Sequence, residues 1–484
     1  MYLKWAKEFG RLFRIKAALF QPDIVVVVDS TAAQYIFQNA YTYVKAPAFR
    51  PLMAKLLGPG IVWAEGDEHR RQRKLIAPAF RSPILSCIET LNADDTRIYS
   101  TGAIQGMFDD IYSSAEKTAD RLSSHITSSD ATKGHNLVMN IIPYISDCTL
   151  DIIGRIGFNY DFEAGESPEA KKIDASWHED VILGRSFGGF FAPILLQICP
   201  WVTKLPIPAL QTDGATKMIT TKLAGDMYDD PHRTGRGKDI LSLLKEVESD
   251  GEVEMSRETL LSNIATLLMV GHETSAGTVS YTLLELARDK RVQTKLREEL
   301  RQAGTLTYDN VQSLEYLDAV VKEGLRLHPS SPRTERVALQ DDVIPLGRPI
   351  LAREGRTMDA LPVKAGQVFH VSFKALNVDP EVWGDDAEVF KPERWVVAGG
   401  LPDPSELPRG PWTNVASFCD GPRGCIGWRL AVLEMKVIIA MLIRRFEFEA
   451  TNYKVEQYIS PTLQSFVNGE ARIMPLYVSV IAEA

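Results

Sequence analysis

The chain is poor in the features that would tie it together covalently or carry it through a bilayer. It has only 5 cysteines in 484 residues, at positions 87, 148, 199, 419 and 425, and no Cys-x-x-Cys pair. So odd and sparse a set excludes a disulfide framework and a cysteine-rich zinc site, and it suits a reducing compartment. No apolar run reaches the roughly 20 residues that cross a membrane. Ile24 to Val28 is closed by Asp29, and the stretch from Phe187 to Val202 is broken by Pro193 and Pro200. That second stretch can dip into a bilayer surface but cannot cross one, and no secretory leader is visible. Basic charge is also short, with 54 Lys and Arg against 63 Asp and Glu, a net of −9. Such a balance excludes non-specific nucleic-acid binding, which depends on many cationic phosphate contacts. There is no internal repeat and no Gly-x-Gly-x-x-Gly at a strand–helix turn, so no dinucleotide or flavin module is expected within this sequence.

What is present is the composition of a large packed body: 45% hydrophobic, 9% aromatic and 24% charged. Length alone suggests about three domains, yet no linker separates independent units, and residues 1–484 read as one mainly α domain with a small β subdomain. Trp5, Ala6, Phe9 and Leu12 share a face of a short helix, and Phe13 to Leu19 and Ile24 to Val28 read as strands. Helical patterns dominate from Ser30 to Leu327, and β-rich parts are expected near 13–29 and 335–375. Gly427 to Phe446 is a helix with a stripe of Leu430, Leu433, Val437 and Met441, and Leu476 to Ile481 is a last strand.

The most informative segment is Phe418-Cys419-Asp420-Gly421-Pro422-Arg423-Gly424-Cys425-Ile426-Gly427. Three glycines and a proline make a tight loop whose backbone can approach a ligand closely. A thiol where such a loop enters a helix faces free N–H groups and the positive end of the helix dipole, both of which favour the thiolate. The alternative is a buried cysteine in a glycine-rich turn. The spacing F-x-x-G-x-R-x-C-x-G, carried by Phe418, Gly421, Arg423, Cys425 and Gly427, resembles the haem-binding loop of the cytochromes P-450. The resemblance implies that Cys425 is the axial ligand of the haem iron, that Phe418 shields its sulfur and that Arg423 contacts a haem propionate. Cys419 stands where that family usually has glycine.

Three further signals follow in the family's order. Leu260 to Leu286 reads as one long helix with Val270-Gly271-His272-Glu273-Thr274-Ser275 at its centre. An acid and an alcohol side by side can pass protons, and the missing side chain of Gly271, three residues from Thr274, is expected to open a groove beside them. The bland reading has Thr274 bonding back to a carbonyl and Glu273 pointing at solvent. The segment resembles the family's oxygen-activation motif, with Val270 in place of a small residue. Glu323 and Arg326 are three apart on an apolar helix, and Arg394 follows in Phe390-Lys391-Pro392-Glu393-Arg394-Trp395; by resemblance these three form a structural ion cluster. His69 and Arg73 are stacked four apart on a basic helix that otherwise reads as a solvated face. The family has Trp and Arg here on a propionate, and Arg336 resembles another propionate contact.

The resemblance, to the eukaryotic microsomal type and its fungal members, implies a haem-thiolate monooxygenase with haem b (iron protoporphyrin IX) between a long central helix and the cysteine loop. The thiolate favours O–O cleavage, Glu273 and Thr274 supply protons, and one oxygen atom of O2 enters an apolar organic substrate by hydroxylation or epoxidation. Electrons would come from NADPH through a separate cytochrome P-450 reductase, with cytochrome b5 as an optional second donor. Arg70, Arg71, Lys74, Arg429 and Lys436 are candidates for its docking patch. Pocket walls would come from about residues 51–66, 187–230, 264–275, 330–337 and 460–467, with Phe190, Phe191 and Phe466 as contacts. A monomer on the cytosolic face of the endoplasmic reticulum is expected, its N-terminal anchor absent from this sequence. Two alternatives are a reductase-independent haem-thiolate isomerase or dehydratase, and a haem-binding sensor without catalysis.

Overall fold

A computed structural model describes residues 2–16, 23–46, 49–80, 101–130, 137–186, 195, 199, 213–230, 240–242, 244–245, 255–352 and 355–481. Cys87, Phe190, Phe191 and most of the stretch from Phe187 to Val202 lie outside these residues.

The molecule is organised around the central helix Arg257–Arg288. Ser256 caps its start by accepting the Thr259 N–H at 3.2 Å, and Asp289 ends it while capping the next helix, Lys290–Gln302, through the Arg291 and Val292 N–H groups. Residues on every side of the central helix are buried, as expected of a core helix rather than an amphipathic surface one. It packs against the helices Ile142–Phe158, Glu315–Leu327 and Trp428–Arg445. Two glycines permit these approaches. A Cβ on Gly324 would stand 2.1 Å from Thr282 Oγ1, and one on Gly271 would stand 2.8 Å from Ile153 Cγ1. The space left by Gly271 is therefore filled by a neighbouring helix, and the ligand groove expected there is not formed. The expected stripe on the helix Trp428–Arg445 is in fact a continuous buried run, Val432–Ile443, which includes Glu434 and Lys436.

Among the described residues the strands form four small sheets. The largest has the order β1-β2-β8-β5-β3, from Leu12–Ile15, Ile24–Val27, Val368–Val371, Thr334–Ala338 and Tyr43–Lys45. It joins the N-terminal strands to those after residue 330, with β2 and β8 parallel and the other pairs antiparallel. The N-terminal helix stops at Phe9, because Gly10 turns the chain with φ +84°. Leu12 accordingly belongs to β1 and not to the helix, and Phe9 is exposed. β4 (Leu137–Asn140), β13 (Pro475–Val480) and β9 (Phe446–Ala450) form a second sheet. β6 (Asp342–Leu351) pairs with β7 (Thr357–Val363), and β10 (Glu456–Ile459), β11 (Leu463–Val467) and β12 (Glu470–Ala471) complete the set.

Glu323 and Arg326, on the helix Glu315–Leu327, are both 0% exposed. The guanidinium donates two parallel bonds of 2.8 Å to the carboxylate, and Arg394 Nε adds a third at 3.0 Å. Trp395 Nε1 and the Lys391 N–H, each at 2.9 Å, complete the shell of Glu323. Arg326 spends its remaining donors on the carbonyls of Asn377, Ala387 and Val389. Every partner that a buried ion pair needs to offset its desolvation is thus supplied. Glu323→Gln should therefore destabilise the protein by about 3–5 kcal/mol, because it leaves buried guanidinium charge uncompensated. The exposed Glu298→Gln should stay within about 0.5 kcal/mol; urea denaturation of the two variants measures the contrast.

Candidate active site

The cysteine loop is held against the helix Ser30–Gln38. Gly421 has φ +66°, and a Cβ there would lie 2.5 Å from the Phe37 carbonyl oxygen, so only glycine fits. The Cys425 N–H donates to the Phe418 carbonyl at 2.8 Å, closing the loop, and Phe418 itself is buried. Gly427 caps the helix Trp428–Arg445; a Cβ on it would meet Phe80 at an ordinary 3.5 Å. Cys425 has an exposed surface, yet protein surrounds it so densely that burial is the strongest influence on its thiol. Burial raises the thiol to about 11, outweighing the Gly427 N–H and Arg73, which pull the other way. The Gly427 N–H favours the thiolate as expected, and burial outweighs it.

Around the loop the fold gathers basic side chains from four distant segments. His69 and Arg73 lie on the helix Gly66–Phe80, Arg336 on β5, Lys45 opposite it on β3, and Arg423 on the loop itself. Arg73 Nη1 donates to the Gly424 carbonyl at 2.7 Å. Arg423 donates to the Ala64 carbonyl at 2.7 Å and to the Glu65 carboxylate, which also lies 3.6 Å from Lys45. Arg336, 6% exposed, donates to Thr334 Oγ1 and to the Glu335 carbonyl. Burial and the charges of Arg423, Lys45, Arg73 and Arg336 push His69 down to about 3, so it is a neutral imidazole that can still offer one N–H. Lys45 falls to about 7, through burial first and then Arg423. Arg73, Arg336, Arg423 and Lys45 all act on His69, with Glu65 paired to Arg423 and Lys45, and such close like charges favour an added anion.

Above the loop, Val270, Gly271 and Thr274 of the central helix are only half buried. Thr274 Oγ1 donates to the Val270 carbonyl at 2.7 Å, as in the bland reading. Glu273 does not follow that reading, because it is buried beside Gln464 and Arg472 instead of facing solvent. Ser275 donates to the Glu434 carboxyl and so joins the central helix to the one that follows Cys425.

A family model described as cytochrome P450 matches residues 1–476. The chain belongs to the cytochrome P450 family. Among its relatives, "Cytochrome P450 monooxygenase claP" of Ampulloclitocybe clavipes is 31% identical over 464 residues, covering 93% of this chain and 81% of that protein. "Cytochrome P450 monooxygenase 205" of Postia placenta is 30% identical over 470 residues, covering 92% and 80%. The protein is accordingly an oxidoreductase of the monooxygenase class, and its cofactor is haem b.

The geometry of this P450 suits that cofactor. Arg73 acts on the Cys425 thiol, and Arg336, Arg423 and Lys45 stand with it around His69, where a dicarboxylate macrocycle needs counter-charges. Lys45 and Glu65 were not legible as part of this set. Lys45 meets Arg336 only through strand pairing, which no local spacing reveals. Lys436 leaves the docking patch, because it is 2% exposed and paired with Asp318 at 2.7 Å. Arg70, Arg71 and Lys74 are exposed, although Arg70 already bonds Tyr41 and Asp67. Phe466 is 3% exposed in the core against Tyr458, so it offers no open face to a substrate.

Cys419 has φ 58° and ψ −176°, a conformation that is essentially glycine's. Cys419→Gly should stabilise the fold by about 1 kcal/mol, read as a higher denaturant midpoint at unchanged slope. Burial raises the Glu434 carboxyl from 4.5 to about 8. The folded state therefore keeps a proton that the unfolded chain releases, and this contribution is full below 4.5 and is lost as pH rises to about 8. Glu434→Gln should abolish that loss, so between pH 5 and 8 the variant should gain ~1–3 kcal/mol on wild type in denaturation curves.

Proposed function

We propose that the protein inserts one oxygen atom of O2 into an apolar organic substrate, with electrons from NADPH delivered by a separate flavoprotein reductase. The observation that carries this reading is the convergence of Cys425, Arg73, Arg336 and His69 on one site from three separated segments. When bound, haem b supplies the oxygen-activating chemistry, and a cysteine thiolate on its iron favours O–O cleavage. Cys425 is the residue to hold the iron, and because coordination removes the thiol proton, the metal supplies what burial denies. Arg73, Arg336 and Arg423, helped by Lys45, hold the propionates, and His69 adds a neutral N–H donor. Phe418 shields the sulfur side, while Gly421 and Gly427 let the loop take its path. On the opposite side, Glu273 and Thr274 move protons toward the oxygen. Glu323, Arg326 and Arg394 act only through the fold.

A fungal role on the cytosolic face of the endoplasmic reticulum fits the relatives' origin, and among the described residues no helix is long and apolar enough to cross a membrane. The exposed Arg70, Arg71 and Lys74 form the remaining basic patch for an acidic redox partner.

The test is the carbon monoxide difference spectrum of the reduced, haem-loaded protein beside Cys425→Ala. A red-shifted Soret band in wild type that the variant loses is expected. A band typical of a histidine-ligated haem in folded wild type would overturn the reading.

A further inference from the structure

Three threonines, Thr274, Thr278 and Thr282, lie four apart and so share one face of the central helix. Two of them bond back to the helix itself. Thr274 Oγ1 donates to the Val270 carbonyl at 2.7 Å, and Thr282 Oγ1 to the Thr278 carbonyl at 2.8 Å. The same habit would take Thr278 to the Thr274 carbonyl. It turns outward instead, to the His328 carbonyl at 3.1 Å and the Ser330 hydroxyl at 2.9 Å. The Thr274 carbonyl accepts from Ser330 Oγ. A hydroxyl from outside the helix has therefore taken the place of one of its own. A carbonyl has two lone pairs, so this bond adds to the helix ladder and does not replace it.

Ser330 is held for this contact. It is 8% exposed, and its own carbonyl accepts the Leu463 N–H of β11 at 2.8 Å. His328, two residues earlier, stacks on Tyr281 with ring centroids 4.9 Å apart and bonds Glu285 at 3.0 Å, both on the central helix. Gly277 lets the loop come this close, since a Cβ there would stand 3.3 Å from Ser330 Oγ. Gly324, on the helix that carries Glu323 and Arg326, lies against Thr282 at the other end of the stripe. The helix Glu315–Leu327 and the loop after it thus run along the threonines. Ser330 meets them at Thr274, next to half-buried Val270 and Gly271. Its single proton, spent on the Thr274 carbonyl, leaves Thr278 to share its own between Ser330 Oγ and the His328 carbonyl.

We propose that Ser330 is a positioning residue for the turn Val270–Thr274, fixing that turn against the loop 328–330 and so setting the room beside it for a ligand of the haem iron. The proposal rests on the reading that haem b is bound at Cys425 with this turn on its other side. No bond to substrate and no proton transfer belongs to the role. The hydroxyl acts through the main chain of Thr274 alone.

The test uses the haem-loaded protein and two probes that need no substrate. One is carbon monoxide on the reduced form, read by the infrared band of its stretch. The other is 4-phenylimidazole on the oxidised form, read by titration of the Soret shift. Ser330→Ala should shift or split the carbon monoxide band and change the phenylimidazole affinity about threefold to tenfold, the worth of one buried hydrogen bond. Thr278→Val, which removes the second partner of Ser330 and spares the bond to Thr274, should move both in the same direction by less. Thr282→Val, two turns away, should lower the urea midpoint and leave the band where it is in wild type. If Ser330→Ala does not fold, Thr278→Val decides the question. An unmoved band and affinity in folded Ser330→Ala, or a band that moves as far in Thr282→Val, overturns the proposal and leaves haem at Cys425 standing. A Soret band typical of a histidine-ligated haem in folded wild type overturns that underlying reading as well.

Discussion

The carboxylate of Glu323 is the point from which the site hangs. It is fully buried and accepts from two guanidinium groups, an indole and a backbone N–H. Its importance lies less in the pair than in what the pair fixes. Arg326 holds the Asn377 carbonyl at 2.9 Å, Asn377 Oδ1 accepts the Ala416 N–H at 2.7 Å, and Ser417 Oγ donates to the Leu325 carbonyl at 2.6 Å. Residues 416 and 417 open the turn that leads into the loop bearing Cys425. A buried ion cluster contributes little net stability compared with an apolar core, but breaking it is severe. Such a cluster fixes one arrangement of the loop among those that a glycine-rich segment could adopt.

The two buried charge clusters have opposite character. Around Glu323 every group is paired and the cluster is closed, so it binds nothing further. Around Glu65, Arg423 and Lys45 pair with its carboxylate, Arg336 and Arg73 stand close by, and burial together with their charges holds His69 neutral. Like charges held close together inside a protein raise the energy of the unliganded fold. That energy is returned when carboxylates arrive, so the site couples cofactor binding to stability. The raised Cys425 thiol works in the same direction, because a buried sulfur is poorly ionised until a metal compensates its charge.

What could be read without coordinates was whatever chemistry is local in the chain. The ten residues from Phe418 to Gly427, the long helix around Glu273 and the Glu323-Arg326 spacing each carry their meaning within a few turns of backbone. The same is true of the His69–Arg73 stack, whose four-residue spacing places both on one side of a helix. What escaped depends on partners that only folding brings close. Gly271 looked like an opening for a ligand, and Ile153 occupies the space. Lys436 looked like a surface charge, and Asp318 draws it inward. Lys45, Glu65 and Arg472 gave no local signal, since each acquires its role from a strand register, a loop or a hairpin far along the chain.

On the proposed reading of Glu273 and Thr274, the central helix has to reconcile dryness with proton supply. Oxygen chemistry needs water kept from the reacting centre, yet protons ultimately come from water. Glu273 and Thr274 are consecutive, so their side chains diverge by about 100° around the helix. One turns to the half-buried stripe with Val270 and Gly271, the other to a polar cavity closed by Arg472. A single peptide unit therefore separates a hydroxyl on the half-buried face from a carboxylate in a polar cavity. Neither Gly271, packed on Ile153, nor Thr274, bonded back to Val270, widens the first space toward the second. The helix is fixed at this point by its neighbours, Ile153 against Gly271 and the Ser330 hydroxyl on the Thr274 carbonyl, and so the two side chains keep their separate surroundings.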